Sequence, residues 1–270
     1  MKTLNDIAEQ KVIEVKERQA LYPKQLLERS IYFKAQPVSL SKYLLRSDKS
    51  GIIAEIKKQS PSSGVINKYA NVEKISIGYM QAGASALSVL TDKLFFGGSS
   101  EDLSIARKFN FCPILRKDFI IDEYQIFESK SIGADAILLI AAILTKEQII
   151  QFTDLAQSLG MEVLLELHGP EEIEKIYDKV NVVGVNNRNL NTMKIDLNQS
   201  IIMSDLLPKD ILKISESGIE SIDAILKLKT YGYKGFLIGS QFMKHPQPDL
   251  ACKEFIQQLN EASLKSAIKV

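Results

Sequence analysis

Residues Ile52 to Gly64 read IIAEIKKQSPSSG, a short apolar run that carries one carboxylate and two ammonium groups before it breaks into a Ser/Pro/Gly loop. Side chains two apart on a β-strand project to the same face, so Glu55 and Lys57 are expected to point the same way from the end of one buried strand. Ionic groups in such a place are costly unless they are paired or used in chemistry. Taken alone, the segment reads equally well as an edge strand with solvated charges, because Glu and Lys are mostly exposed in proteins. The same arrangement recurs further along the chain, and the recurrence decides between the two.

From Ile52 onward, short apolar runs rich in β-branched residues alternate with helix-period segments. The runs are Ile52 to Lys58, Ala86 to Thr91, Pro113 to Lys117, Ala136 to Ile140, Glu162 to Leu167, Val182 to Val185, Ile211 to Ser215 and Gly235 to Ile238. The helices between them have legible ends. Thr145 to Gln148 has the form of a capping box, Ile149, Phe152, Ala156 and Leu159 form the buried stripe behind it, and Gly160 sits where that helix stops. Pro170 after Gly169 opens the next helix as a first-turn proline. Strands that are apolar on both faces and joined by helical crossovers require a parallel sheet covered by helices. Eight such units in 270 residues predict a closed (β/α)₈ TIM barrel, with a doubly wound open sheet as the alternative.

Ahead of the first strand, Leu4, Ile7, Ala8, Val12 and Val15 share one helical face, so residues up to about Glu17 are expected to form an amphipathic helix. A second polar-apolar segment runs from Tyr22 to about Phe33, and Pro37 with a Ser-rich piece leads into the barrel. The expectation is a single barrel domain over residues 1–270, of which 1–50 is an N-terminal helical extension.

Composition narrows the function. Lys+Arg number 34 against 33 Asp+Glu, a net charge of +1, so no global field favours a nucleic-acid or membrane partner and any anion site must be local. The N-terminus MKTLNDIAEQKVIEVK lacks the apolar core of a signal peptide, and the longest apolar run, Ala136 to Leu144, is far short of the roughly 20 residues that cross a bilayer. The only two cysteines, Cys112 and Cys252, have no CxxC spacing, which favours a reducing, cytoplasmic setting. His168 and His245, the only two histidines, are far apart, so no metal site is expected, and His168 reads as a hydrogen-bonded structural residue. No GxSxG, Walker or GxGxxG motif occurs.

Active sites of such barrels are built at the C-terminal ends of the strands. Here Glu55, Lys57 and Ser60 end the first strand; Arg116, Lys117 and Asp118 the third; Glu166 and His168 the fifth; Asn186, Asn187 and Arg188 the sixth; Glu216 and Ser217 the seventh; Ser240 follows the eighth. A repeated switch from apolar to ionic at one rim points to catalysis rather than to solvated loop charge. Ser217-Gly218 and Gly239-Ser240 place small residues in the two loops where barrels often bind phosphate. Phe96, Pro61, Leu115, Phe119 and Leu138 are expected to line an apolar side of the mouth. Leu115, Lys117 and Phe119 share parity, which predicts an ammonium set between apolar groups with a lowered pKa suited to acid catalysis.

The segments IIAEIKKQSPSSG, LSVLTDKLFFGGS, PILRKDFIIDEYQI, GADAILLIAAIL, LLELH, VGVNNRNL, ISESGI and FLIGSQFM together resemble the indole-3-glycerol phosphate synthase family over nearly the whole chain. The resemblance includes an N-terminal helical extension, which in that family packs over the catalytic mouth. It implies cyclisation, decarboxylation and dehydration of 1-(2-carboxyphenylamino)-1-deoxyribulose 5-phosphate to indole-3-glycerol phosphate, without cofactor or metal. By motif, Lys117 would be the general acid at the ketone oxygen, Glu166 would carry the proton transfers of dehydration, and Lys57 would pair with substrate and share the acid role. Glu55 would orient the lysines, Asn186 would bind the developing hydroxyl, Arg188 would meet the anthranilate carboxylate, and Glu216 belongs to the same catalytic set. Ser60, Ser217, Gly218, Gly239 and Ser240 would hold the phosphate; Phe96, Phe119, Leu115, Leu138 and Pro61 would enclose the aromatic ring.

Three positions depart from the family's pattern: Ser63 stands where lysine is common, HGP follows Glu166-Leu167 where an Asn/Asp/Glu run is frequent, and Ser240 replaces a common glutamate. The expected partner is a small sugar phosphate, for a monomer or weak homodimer able to associate with other tryptophan-pathway enzymes. Rival readings are phosphoribosylanthranilate isomerase, the tryptophan synthase α subunit, or a catalytically silent sugar-phosphate-binding barrel. None of them accounts for Glu55, Lys57, Lys117 and Glu166 as a set.

Overall fold

The computed structural model of the chain describes residues 4–189 and 192–268. Its centre is a closed barrel of parallel strands: β1 Ile52–Ile56, β2 Ala86–Leu90, β3 Ile114–Lys117, β4 Ala136–Ile140, β5 Glu162–Leu167, β6 Val182–Asn186, β7 Lys213–Glu216 and β8 Gly235–Ile238. β1 pairs with β2 on one side, Ile53 opposite Ala86, and with β8 on the other, Ile52 opposite Phe236, so the sheet has no edge and the open-sheet alternative falls.

Strand parity sorts the side chains into two apolar layers. Ile52, Ala54, Leu87, Ile114, Ile137, Val163, Val183 and Phe236 face outward and pack under the helices. Ile53, Leu115, Leu138, Leu164, Val182, Ile214 and Leu237 face inward and fill the barrel. Both sets are almost fully buried, which is why these strands read as continuous apolar runs. The inward positions one step nearer the C-terminal end are Glu55, Lys117, Glu166 and Glu216. The same alternation that builds the core therefore delivers ionic groups to its top.

The outer layer is α4 Val72–Gln81, α5 Ser100–Phe109, α6 Glu123–Ser131, α7 Lys146–Ser158, α8 Asn198–Leu206, α9 Ile222–Thr230 and α11 Pro248–Ile268, with a four-residue α10, Ser240–Met243, after β8. The Thr145 capping box forms as expected, its hydroxyl accepting from the Gln148 N–H and the Gln148 side chain accepting from the Thr145 N–H. Pro170 does open an element, but a 3₁₀ helix over Pro170–Lys175 rather than an α-helix. β1 also ends earlier than the apolar run suggests. The Lys58 carbonyl accepts from the Ile66 and Asn67 N–H groups at 2.9 and 3.0 Å, which draws the chain off the ladder into a loop closed by the short antiparallel pair Gln59–Ser60 and Gly64–Val65.

The segment before β1 closes both ends of the barrel. It contains α1 Leu4–Leu21, α2 Lys24–Leu27 and α3 Leu40–Leu44. α3 plugs the N-terminal end, with Leu40 and Leu44 packed among Ile53, Ala86 and Ile214, and the Glu162 carboxylate accepts from the Ser41 N–H at 2.7 Å. α1 lies across the other end and runs past Glu17, because Arg18 pairs with Glu128 and the Tyr124 hydroxyl donates to the Arg18 and Tyr22 carbonyls. Its buried face differs from the expected one in one residue each way. Ile7, Lys11 and Val15, spaced four apart, are all buried, while Val12 is 42% exposed.

No helix among the described residues is long and apolar enough to cross a membrane. Removing the plug should be felt in stability and not in chemistry: Leu40→Ala is expected to cost about 2–5 kcal/mol in urea unfolding, while KM of the folded protein stays unchanged.

Candidate active site

The C-terminal mouth holds a cavity of about 380 Å³. Glu55, Lys57, Ser60, Pro61, Phe96, Lys117, Phe119, Leu138, Glu166, Asn186, Arg188, Glu216, Ser217, Gly218, Gly239 and Ser240 all line it. Leu115 does not. It lies two residues below Lys117 on the same strand face, one layer deeper in the fully buried barrel interior, and supports the floor without reaching it.

The ionic centre is compact. Lys117 Nζ sits 2.7 Å from Glu166 Oε2 and 2.6 Å from Glu216 Oε2, and Lys57 Nζ sits 2.8 Å from Glu55 Oε1. Two glycines make this possible. A Cβ on Gly184 would lie 2.2 Å from Glu216 Oε1, and one on Gly239 would lie 2.3 Å from Glu55 Oε1, so the inner wall is left bare where each carboxylate turns inward. Gly239 thus serves a carboxylate as well as its loop.

Lys117 is not set between apolar groups as its strand parity suggested. Burial by itself would depress its ammonium, but Glu166, Glu216 and Glu55 outweigh that and hold it above the ordinary lysine value. The strand-local pattern misses this because both nearest partners arrive from other strands. The two carboxylates then diverge. Burial pushes Glu216 up to about 8, reinforced by the neighbouring Glu166 against the pull of Lys117. Glu166 is opposed by the same burial but held well below the usual carboxylate range by Lys117 and His168. A shared ammonium with one ionised and one protonated carboxylate is a proton donor and acceptor pair set on the same spot.

His168, expected to be structural, lines the cavity with Nε2 3.2 Å from Glu166 Oε1, its backbone N–H held by Glu172 at 2.6 Å. Asn186 Oδ1 accepts from the Arg188 N–H at 3.0 Å, which leaves the Asn186 side-chain N–H donors for the cavity. The Arg188 guanidinium donates to the Met193 carbonyl at 3.2 Å, and burial lowers its pKa; among the described residues no carboxylate pairs with it. It is a cation available to an incoming anion.

On the neighbouring strand, Ser217 and Gly218 both adopt left-handed backbone, with φ of 68° and 75°. Such a turn is strained for serine and is held from below: Asn187 Nδ2 donates to the Glu216 and Ser217 carbonyls, each at 3.0 Å, and Asn187 Oδ1 accepts from the Ser200 hydroxyl at 2.7 Å. Both residues line the cavity, and with no bulky side chain at Gly218 the backbone is open to an incoming anion. The first turn of α10 at Ser240 faces the same space.

Several contributors were not picked out from the sequence. Leu4 and Ile7 of α1, together with Met193 and Ile195, complete the apolar wall. Beside them lies a second buried knot, Lys11 between Asp92 and Asp118 at 2.7 and 3.0 Å. The spacing Ile7, Lys11, Val15 is the signal that could have found it.

A closed barrel that gathers its ionic side chains and small-residue loops around a cavity at the C-terminal mouth has the architecture of a (β/α)₈ enzyme. The family model for indole-3-glycerol phosphate synthase matches residues 4–255. Proteins with that name are 49% identical over 224 residues in Bacteroides thetaiotaomicron (83% of this chain, 86% of the relative) and 42% over 264 residues in Prochlorococcus marinus (95% and 90%). The chain belongs to the indole-3-glycerol phosphate synthase family, a family of carboxy-lyases. Among solved structures, tryptophan synthase subunit alpha from Legionella pneumophila superposes with a TM-score of 0.59 at 14% identity, covering 83% of this chain and 97% of its own. A chain of the tryptophan synthase complex from Pyrococcus furiosus gives 0.57 at 14%, covering 79% and 99%. These two share the fold.

Because its folded pKa is raised, Glu216 keeps a proton that the unfolded chain has lost between the ordinary carboxylate range and about pH 8. Its contribution therefore erodes stability as pH rises through that window. Glu216→Gln is expected to flatten this decline in urea midpoints measured against pH, and to lack the carboxylic-acid carbonyl band that infrared spectroscopy of the wild-type protein is expected to show near neutral pH.

Proposed function

We propose that this cavity closes the indole ring of 1-(2-carboxyphenylamino)-1-deoxyribulose 5-phosphate, with loss of carbon dioxide and water, to give indole-3-glycerol phosphate in tryptophan biosynthesis. The observation that carries the assignment of roles is the position of Lys117, between Glu166 and Glu216 and inside a cavity that has anion loops on one side and an aromatic slot on the other.

Ring closure needs a proton at the ketone oxygen as the aromatic carbon attacks the ketone carbon. Lys117 supplies it, and the glutamates around it, Glu166 first among them, keep it charged until substrate arrives. Arg188 receives the substrate carboxylate, and the aromatic ring enters the slot formed by Phe96 and Phe119, whose rings are 6.0 Å apart, with Leu138 and Pro61. Loss of carbon dioxide then restores aromaticity. The new hydroxyl meets the Asn186 amide, and Glu166, ionised and in contact with His168, moves the protons of dehydration. Lys57, oriented by Glu55, binds the sugar oxygens and shares the acid work. Glu216, protonated near neutral pH, returns a proton to Lys117 across 2.6 Å. Ser60, Ser217, Gly218, Gly239 and Ser240 hold the phosphate.

The N-terminal extension and the barrel act as one domain, since α1 supplies Leu4 and Ile7 to the cavity wall. The two cysteines are buried free thiols, which suits a reducing cytoplasm. We assign a monomer or weak homodimer, free to associate with other enzymes of the pathway.

An assay for the fluorescent indole product tests the reading. Lys117→Ala is expected to lower kcat by about 10²–10⁴-fold while inorganic phosphate binds as before; near-normal kcat overturns the acid assignment. Glu166→Gln is expected to stall after decarboxylation, so that a partly reacted intermediate accumulates in single-turnover experiments.

A further inference from the structure

A buried ionic knot beside the cavity has no part in this chemistry, and its wiring leads to the aromatic slot. Lys11 of α1 is 4% exposed, and its Nζ lies 2.7 Å from Asp92 Oδ2, 3.0 Å from Asp118 Oδ1 and 2.6 Å from Glu14 Oε2. Asp92 follows β2 and is fully buried. Its other oxygen, Oδ1, accepts from the backbone N–H groups of Phe95 and Phe96 at 2.7 and 3.2 Å. Asp118 follows β3, directly after Lys117. Its Oδ1 also accepts from the Phe119 N–H at 2.9 Å, while Oδ2 takes the Thr91 hydroxyl at 2.6 Å and Arg116 Nη2 at 3.0 Å.

Each carboxylate therefore binds the ammonium of α1 and also the backbone of an aromatic residue that faces the substrate cavity. Phe96 and Phe119 lie on different loops, and a single cation from outside the β/α repeat holds both loops in register. Asp118 retains Arg116 if Lys11 is lost. Among the described residues, Asp92 makes no other ion pair within 4 Å, so it would then be a buried anion without a counter-charge. It would have to turn toward water or take up a proton, and either change weakens its grip on Phe95 and Phe96. Burial opposes the charge on Lys11, yet Asp118 and Asp92 together raise its pKa, so Lys11 stays charged throughout the physiological range.

We propose that Lys11 is a positioning residue that sets the separation of Phe96 and Phe119 and so the fit of the substrate's aromatic half. It touches neither substrate nor the reacting atoms, and the inference rests on the proposed function only for the identity of that aromatic group.

Lys11→Met and Lys11→Gln remove the charge and Lys11→Arg keeps it. In the two neutral variants, hydrogen exchange at the amides of Phe95, Phe96 and Phe119 is expected to accelerate by on the order of tenfold, the scale of one lost charge-assisted hydrogen bond, relative to Ser217 and Gly218. Anthranilate as a probe should bind correspondingly more weakly and KM should rise by a similar factor, with kcat and inorganic phosphate binding unchanged and partial recovery in Lys11→Arg. Equal loosening at Ser217 and Gly218, an unchanged KM in a folded neutral variant, or failure of both neutral variants to fold overturns the proposal, the last because the knot would then serve the whole fold. Amide exchange is read without turnover. Should the wild-type protein fail to convert the substrate, the functional reading falls while the result on Lys11 still stands or falls by itself.

Discussion

Three carboxylates and two ammonium groups are drawn out of bulk water at the top of this barrel, and the rest of the mouth is arranged around what that costs. Desolvation of each ion is worth several kcal/mol, recovered only through short, well-aligned pairs. Lys117 is shared by Glu166 and Glu216, and Lys57 is held by Glu55, which leaves the group one negative charge in excess. The excess is resolved by protonating Glu216, the carboxylate whose Oε1 makes no hydrogen bond among the described residues. An acid and a base of the same residue type thus coexist beside one lysine, separated by environment alone.

Such a cluster needs room as well as charge balance. Inward parity alone would crowd the top of the barrel, since every second residue of eight strands points at one axis. Gly184 and Gly239 leave out the side chains that would meet Glu216 and Glu55. The deeper layer, with Ile53, Leu115, Leu164 and Ile214, is packed solid and gives the ionic layer a rigid floor. Neutral amides do the finer work. Asn187 holds the left-handed Ser217 through its carbonyl, and Asn186 fixes the start of the loop that carries Arg188.

The segment before β1 finishes what the repeat leaves open. A closed barrel has two ends that its own strands do not cover. Leu40 and Leu44 stop one end with apolar volume. At the other, α1 brings Leu4 and Ile7 to the cavity and Lys11 to two buried aspartates, and Arg18 reaches Glu128, the same carboxylate that Arg116 binds from β3 at 2.6 Å. The helix is tied by charge to the strand that presents Lys117, so it belongs to the working mouth as much as to the fold.

The eight strands, their order and the ionic rim were legible in the sequence because parity and helical period are local: each run of about five residues reports its own two faces, and the barrel follows from repeating that report. Its motifs were also enough to name the family. What the local pattern could not hold was the partner across the barrel. Leu115 and Lys117 share a strand face, yet one is core and the other sits between carboxylates contributed from residues 49 and 99 positions away. Lys11 reads as solvent-facing charge and Val12 as core, and the structure reverses them, since two aspartates from separate loops make the buried place ionic. The sequence alone determined which side chains face the axis and in what order. Only the tertiary structure decided which of them carry a proton, because that depends on the charges and the water excluded when distant strands close on one another.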